Sequence, residues 1–286
     1  MRLNRFDPSS INVRGGGGGG FPGGTGGGVG CGTLVIAAIA YFVFGADPMS
    51  TIGAVNNAQQ GQEVAPRGDG SPQTVEQLCT QNEYATEACN ALQSLNQTWQ
   101  PEFRKANIPF KQPELVFYSG QVNSQCGSAS AAVGPFYCPA DEGIYIDTSF
   151  YDQMARQLGA RGDFARYYVI AHEYGHHIQK LTGVADAIRS AQSQNPRAAN
   201  QLQVRMELQA DCYAGVWAGK NRNLIDPGDF EEGMTAASAI GDDRLTQGRV
   251  SPENFTHGTS AQRSEALRAG LQSADDTVCD RYTQVG

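Results

Sequence analysis

The stretch YVIAHEYGHHIQKL (residues 168–181) constrains the fold most, because it is an apolar helix with ionisable groups inside it. Its apolar residues predict a buried helix that begins near Asp163 and ends at Gly183. His172 and His176 are one helical turn apart on one face, and Glu173 follows the first of them. Buried imidazoles and a buried carboxylate cost several kcal/mol without a partner. We therefore expect a metal ion at this face.

The spacing H-E-x-x-H is typical of a zinc site in which both histidines bind the metal and the glutamate is the general base. We predict His172 and His176 as ligands, Glu173 as the catalytic base, and one Zn²⁺ per chain. His177 is turned off that face by roughly 140°, so we expect a partly exposed histidine outside the site. The metzincin pattern is excluded, because Gln179 and Thr182 occupy the positions of its glycine and third histidine.

The third ligand is expected from a later helix that contains VRMELQADCYAGVW (residues 204–217). Glu207 and Asp211 are one turn apart on it, and like charges at this spacing oppose each other. The pair is understandable if Glu207 binds zinc and Asp211 orients a ligating histidine from behind. The alternative is a solvated acidic face, which the apolar neighbours of the pair disfavour.

Two further polar residues precede or begin the last helix. His257 could donate a hydrogen bond to the oxyanion that forms when water attacks a peptide carbonyl; the alternative is an ordinary histidine in a surface loop. Arg263, six residues later, is expected to pair with an acid near the site, and the spacing does not say which one.

The remaining pattern predicts an α+β fold, a small antiparallel or mixed sheet packed on several helices. Residues 131–137 and 143–147 are expected to form a hairpin, and GIYID (residues 143–147) is the expected edge strand for an extended substrate. A further strand is expected over residues 115–118. Helices are expected over residues 71–101, 148–158, 163–183, 197–219, 229–240 and 260–271.

The N-terminal region reads differently from the rest. Residues 15–32 contain 13 of the 35 glycines, and an apolar run follows at residues 33–46. We predict a Gly-rich cytoplasmic tail (1–28), a transmembrane helix (29–48), a flexible stalk (49–71) and the zinc metallopeptidase domain (72–286). Arginines precede the run and none follows until Arg67, which favours a single-pass protein with an extracytoplasmic domain. A cleaved signal peptide is the alternative, but a cut after Ala46 would place Phe44 at the −3 position.

Cysteines and charge limit the environment and the partners. Six cysteines follow the apolar run, which predicts three disulfides in an oxidising compartment. Proximity favours Cys79–Cys89 and Cys126–Cys138, and leaves Cys212–Cys279. The net charge of −8 and the lack of a Lys/Arg cluster predict that nucleic acid is not a partner.

Several blocks together carry a family resemblance over residues 115–279: VGPFYCPADEGIYIDTSFYDQM, YVIAHEYGHHIQKL, VRMELQADCYAGVW, AIGDDRLTQGRV and FTHGTSAQR. The chain resembles the bacterial putative neutral zinc metallopeptidases, membrane-anchored proteins with a Gly-rich N-terminal region. The resemblance implies a zincin-like peptidase with His172, His176 and Glu207 as ligands and Glu173 as base. FTHGTSAQR also resembles the Thr-His-Pro segment of membrane-linked gluzincin peptidases, with Gly258 in place of the proline.

The expected function is that of a membrane-anchored zinc-dependent metalloendopeptidase that acts on protein or peptide substrates in the cell envelope. The alternative is a non-catalytic, zinc-stabilised envelope scaffold or binding protein, which would have no use for Glu173. Hydrolysis of a bond other than a peptide stays open, because the motif specifies only a metal and a base.

Overall fold

A computed structural model describes residues 1–16 and 73–283 of the chain. The larger sheet has the strand order β1 (Asn12–Gly15), β2 (Glu114–Phe117), β6 (Gly143–Ile146) and β5 (Phe136–Cys138). The first three strands are parallel and β5 is antiparallel to β6. A separate hairpin consists of β3 (Gln121–Ser124) and β4 (Gly127–Ser130). The mixed sheet confirms one of the two predicted forms.

The helices account for most of the described chain, which confirms the α+β class. In chain order they are α1 (Val75–Cys79), α2 (Glu83–Lys105), α3 (Ser149–Gln157), α4 (Asp163–Leu181), α5 (Val184–Gln194), α6 (Ala199–Lys220), α7 (Asp229–Ala239), α8 (Asp242–Leu245) and α9 (Ser260–Ser273). The helix expected over residues 71–101 is instead α1 and α2, because Thr74 and Asn82 each cap a separate N-terminus. The helix α4, almost entirely buried, lies between α2, α6 and α7.

Residues 1–15 form an N-terminal arm that packs on the domain, whereas the sequence predicts that they belong to a separate tail of residues 1–28. The strand β1 pairs with β2 from Asn12 opposite Glu114 to Gly15 opposite Phe117. Phe6 is 4% exposed and packs in the main core. The glycine run that follows the arm dominates the local composition and hides its alternation of polar and apolar residues.

The pairing of β1 with β2 also conflicts with the predicted membrane arrangement. A cytoplasmic tail of residues 1–28 and an extracytoplasmic domain of residues 72–286 would put two neighbouring strands of one sheet on opposite sides of a bilayer. The predicted transmembrane helix (29–48) and stalk (49–71) lie outside the described residues. Within residues 1–16 and 73–283, no helix combines the length and apolar character needed to cross a bilayer.

The covalent and sheet predictions have mixed outcomes. All three expected disulfides are present, Cys79–Cys89, Cys126–Cys138 and Cys212–Cys279. The hairpin of β5 and β6 is present, although residues 131–133 form a 3₁₀ turn before it. The expectation that GIYID is an edge strand is wrong, because β6 is paired on both sides. The edge of the described sheet beside α4 is β5.

Candidate metal centre

The two helices that carry the predicted ligands cross at very short distance. Gly175, inside the H-E-x-x-H motif, faces Ala210 of α6, and a Cβ built on Gly175 would lie 2.8 Å from the Ala210 Cα. A side chain larger than hydrogen would therefore push α4 and α6 apart. This contact brings the His172 and His176 face of α4 against the turn of α6 that carries Glu207.

The three predicted ligands converge at that crossing. Nε2 of His172 lies 3.1 Å from Oε2 of Glu207, and Nε2 of His176 lies 3.6 Å from Oε1. All three ligand atoms lie within 4.8 Å of one another. Two atoms bound to a tetrahedral zinc ion at about 2.1 Å each are roughly 3.4 Å apart. The spacing of the donor set therefore fits zinc.

Asp211 contacts His172 on the side of the ring away from Glu207. The Nδ1–H of His172 donates to Oδ1 of Asp211 at 2.8 Å, and Nε2, the other ring nitrogen, faces Oε2 of Glu207. The Tyr168 hydroxyl donates to the same Oδ1 at 2.6 Å. Burial would lower the pKa of His172, but Asp211 and Glu207 together raise it to about 9. Metal binding at this nitrogen therefore has to displace a proton.

His176 has an equivalent partner that the sequence did not indicate. Its Nδ1–H donates to Oε1 of Gln179 at 2.9 Å, and the Gln179 amide in turn donates to the Met206 carbonyl at 2.8 Å. The second bond fixes which end of the amide faces His176. His176 therefore also turns its Nε2 toward Glu207. The signal that could have revealed Gln179 is its position three residues after His176 on the same helix.

Glu207 is buried and oriented as an acceptor. It is 5% exposed, and the Gln203 amide donates to its Oε1 at 3.0 Å. Burial would raise the pKa of Glu207, but His176 and His172 hold it well below its usual range. The carboxylate is therefore ionised, as a metal ligand must be.

Glu173 lies on α4 beside the first ligand and is 8% exposed. Burial raises the pKa of its carboxyl, and the nearby Glu207 charge adds to the rise, against the opposing effect of the two histidines. A raised pKa suits a group that takes up a proton and later releases it.

The buried charges at the crossing favour a divalent cation. Three carboxylates (Glu173, Glu207 and Asp211) face one guanidinium (Arg263) in an interior where charges need partners. When all three carboxylates are ionised and His172 and His176 are neutral, as metal ligands are, two negative charges are left over, and one Zn²⁺ would balance them.

The structure identifies the acid that pairs with Arg263, which the sequence left open. It is 1% exposed, and its Nε lies 2.7 Å from Oδ2 of Asp211. The expectation of an acid partner near the site is confirmed, and the acid is Asp211. The nearby Arg263 charge, with that of His172, lowers the pKa of Asp211 against the effect of burial.

The expectation that His177 is partly exposed is wrong. It is 0% exposed on the opposite face of α4. Its Nε2–H donates to the Lys111 carbonyl at 2.7 Å, and its Nδ1 accepts from the Tyr137 hydroxyl at 3.0 Å. Burial lowers the pKa of His177 to about 4. His177 is therefore neutral and structural, and it joins α4 to β5.

His257 lies in a loop tied down by an aspartate that was not predicted. It is 7% exposed, and its Nδ1–H donates to Oδ1 of Asp242 at 3.0 Å. The other oxygen of Asp242 accepts the backbone N–H groups of residues 256–258. Gly258 packs against Val204 and Leu208, which flank Glu207 on α6. Its φ of +84° is one that proline, fixed near −65°, cannot adopt, so the parallel with a Thr-His-Pro segment fails at this residue.

A second group of carboxylates, Asp163, Asp229 and Glu232, also lies within metal-binding distance. The α-amino group of Met1 lies 3.0 Å from Asp163 and 2.8 Å from Asp229. This cluster already faces a positive charge, so we assign no metal to it.

Comparisons with known proteins agree with this geometry. The profile of a family described as putative neutral zinc metallopeptidase matches residues 4–282. The chain is 49% identical over 197 residues to the uncharacterized protein YpfJ of Escherichia coli strain K12, covering 67% of this chain and 69% of that one. It is 40% identical over 207 residues to the uncharacterized protein Mb2605 of Mycobacterium bovis, covering 66% and 68%. No solved structure matches the chain.

Proposed function

We propose that this chain, which belongs to the putative neutral zinc metallopeptidase family, is a zinc-dependent endopeptidase of zincin-like design. The observation that carries the proposal is the convergence of His172, His176 and Glu207, with buried Glu173 beside them. A purely structural zinc site would not need a buried carboxyl with a raised pKa next to its ligands.

The ligands would be Nε2 of His172, Nε2 of His176 and the Glu207 carboxylate. Bound there, zinc would polarise the scissile carbonyl and acidify a water molecule. Glu173 takes the proton of the attacking water and later delivers it to the leaving amine. Its burial keeps bulk water from competing for that proton.

His257 is proposed to stabilise the negative charge on the former carbonyl oxygen. Its Nδ1 lies 3.0 Å from Oδ1 of Asp242, which leaves Nε2 as the ring atom to donate a hydrogen bond to the oxyanion. Asp242 fixes the orientation of the ring, because its other oxygen accepts the backbone N–H groups of the same loop.

The proposed substrates are proteins or peptides of the cell envelope. Three disulfides support an oxidising compartment. An extended substrate is proposed to add to β5, the edge strand of the described sheet nearest the metal helix, instead of β6. Attachment to the membrane through residues 29–48 stays a prediction.

The test is hydrolysis of a library of quenched fluorescent peptides by the zinc-loaded protein, its Glu173→Gln variant and a Glu265→Gln control at an exposed site. We expect Glu173→Gln to bind one zinc and to lose about 10²–10⁴-fold in rate, while Glu265→Gln stays at the wild-type rate. Equal rates for wild type and Glu173→Gln would contradict the proposal. A zinc-loaded wild type that cleaves no peptide would favour the scaffold.

A further inference from the structure

The two acids of α6 both reach His172, which raises the question of what assigns their roles. Oε2 of Glu207 lies 3.1 Å from Nε2 of His172, and Oδ1 of Asp211 lies 2.8 Å from Nδ1. Both carboxylates are buried, one helical turn apart, and either is chemically able to bind zinc. One of them has to be kept away from the metal.

Arg263 of α9 occupies both oxygens of Asp211. Its Nε donates to Oδ2 at 2.7 Å and its Nη2 donates to Oδ1 at 2.9 Å, a bidentate pair in a fully buried place. The Tyr168 hydroxyl and the His172 Nδ1–H also bind Oδ1. Four donors therefore bind the two oxygens of Asp211, and three of them bind Oδ1, the oxygen that faces His172.

The depth of Arg263 is fixed by the packing of α9 on α6. A Cβ built on Gly270 would lie 2.0 Å from the Cys212 carbonyl oxygen, so the two helix backbones touch where Asp211 lies next to Cys212. A lysine in place of Arg263 keeps the charge but has a single nitrogen, and it cannot bridge two carboxylate oxygens in a fixed plane.

We propose that Arg263 is a positioning residue that gives the two acids different roles. It holds Asp211 in the position that orients His172, and Glu207 is then the acid that binds the metal. This inference rests on the zinc site of the proposed function. It concerns the ligand set, so it can be tested without a substrate.

The test compares Arg263→Lys with Arg166→Lys. Arg166 is a matched control, because it also makes a bidentate pair, with Glu87, at 19% and 12% side-chain exposure and away from the ligands. The readouts are zinc affinity by chelator competition and the visible absorption of the cobalt-substituted protein, which reports the ligand geometry. We expect Arg263→Lys to weaken zinc binding about 10–100-fold and to change the cobalt spectrum. Arg166→Lys should lower Tm and leave both readouts unchanged.

Wild-type affinity and spectrum in Arg263→Lys would overturn the proposal, and so would an equal loss in Arg166→Lys. If Arg263→Lys does not fold, Tyr168→Phe removes one donor to Asp211 with little change in volume. It should shift the same readouts in the same direction by a smaller amount, and no shift would overturn the proposal. Absence of zinc from the wild type would instead contradict the proposed function itself.

A second inference rests on the N-terminal arm. Besides the pairing of β1 with β2, the backbone N–H of Arg2 donates to the Leu224 carbonyl at 2.7 Å, and that of Phe6 donates to the Asn90 side chain at 2.9 Å. The arm thus contacts the domain at several places along its length. We propose that the arm and the domain are on the same side of the membrane, so that any attachment by the intervening residues leaves both ends in one compartment.

Cysteine labelling in intact cells tests this arrangement. Asn4→Cys in the arm and Gln272→Cys in α9 are substitutions at exposed positions, each introduced into a Cys31→Ser background. We expect the two variants to react with a membrane-impermeant maleimide to the same extent as each other. This should hold in intact cells and again after the cells are opened. Labelling of the Gln272→Cys variant in intact cells, with the Asn4→Cys variant protected until lysis, would overturn the proposal.

Discussion

Two neighbouring histidines on different faces of α4 have different roles: His176 is a proposed metal ligand and His177 is structural. On the face toward α6, His176 uses Nδ1 for Gln179 and turns its Nε2 toward a Glu207 oxygen 3.6 Å away. On the face toward β5, His177 uses both nitrogens, one for the Tyr137 hydroxyl and one for the Lys111 carbonyl. His172 on the metal face and His177 on the other face are both buried, so burial does not distinguish a ligand from a structural residue. The ring nitrogen that faces Glu207 does.

The same comparison explains the opposite pKa directions of the two residues. Burial lowers the pKa of His177 to about 4, because the Lys111 carbonyl and the Glu142 charge offset only part of the loss of hydration. Burial acts on His176 too, but Glu207 raises its pKa above the usual value. The carboxylate that contacts His176 favours a cation on the metal face, whereas burial favours a neutral ring at His177.

The largest effect is expected when the metal face loses a ligand. His176→Ala should weaken zinc binding more than about 100-fold, since removing only a partner of a ligand costs about 10–100-fold. Chelator competition measures the affinity. An unchanged affinity would remove His176 from the ligand set and with it the distinction between the two faces.

On the other face, His177→Ala should lower the free energy of unfolding by about 3 kcal/mol, because it removes a buried ring and leaves the Lys111 carbonyl and the Tyr137 hydroxyl without this partner. Urea denaturation of the metal-free protein measures it. Zinc stoichiometry should stay at one per chain. A variant that folds normally but binds no zinc would mean that His177 is a ligand.

Gln179→Leu tests whether His176 needs its partner. We expect zinc affinity to fall about 10–100-fold, because the imidazole loses the acceptor that fixes its tautomer. Gln194→Leu, at an exposed position of α5, is the control. Equal affinities in the two variants would show that Gln179 only fills space.

The smallest expected effect is that of Tyr137→Phe, which removes one hydrogen bond to His177 and keeps the ring. Unfolding free energy should fall by about 1 kcal/mol, with zinc affinity at the wild-type value. A loss of zinc affinity would show that the two faces of α4 are coupled through this bond.

Helical spacing alone places His172 and His176 on one side of a helix and Glu207 and Asp211 on another helix, and the structure brings these residues together. Two disulfides follow from proximity along the chain, and Cys212–Cys279 is the pair that remains. Partners supplied by distant segments are different. Asp242 reaches His257 across a loop, and the acid paired with Arg263 depends on how closely α9 packs on α6.

The remaining misses have related causes. The burial of His177 depends on β5 and on residue 111, which no periodicity connects to α4. The N-terminal arm is hard to assign from sequence, because its pairing with β2 joins residues about 100 positions apart and its neighbours along the chain are glycines.

The most direct test of the account is zinc stoichiometry of the purified protein, measured on wild type and Glu207→Ala in parallel, with Glu265→Ala as an exposed control. The account predicts one zinc per chain in the wild type and in Glu265→Ala, and sharply weakened binding in Glu207→Ala. No zinc in the wild type, or undiminished binding in Glu207→Ala, would contradict a metal centre built from α4 and α6.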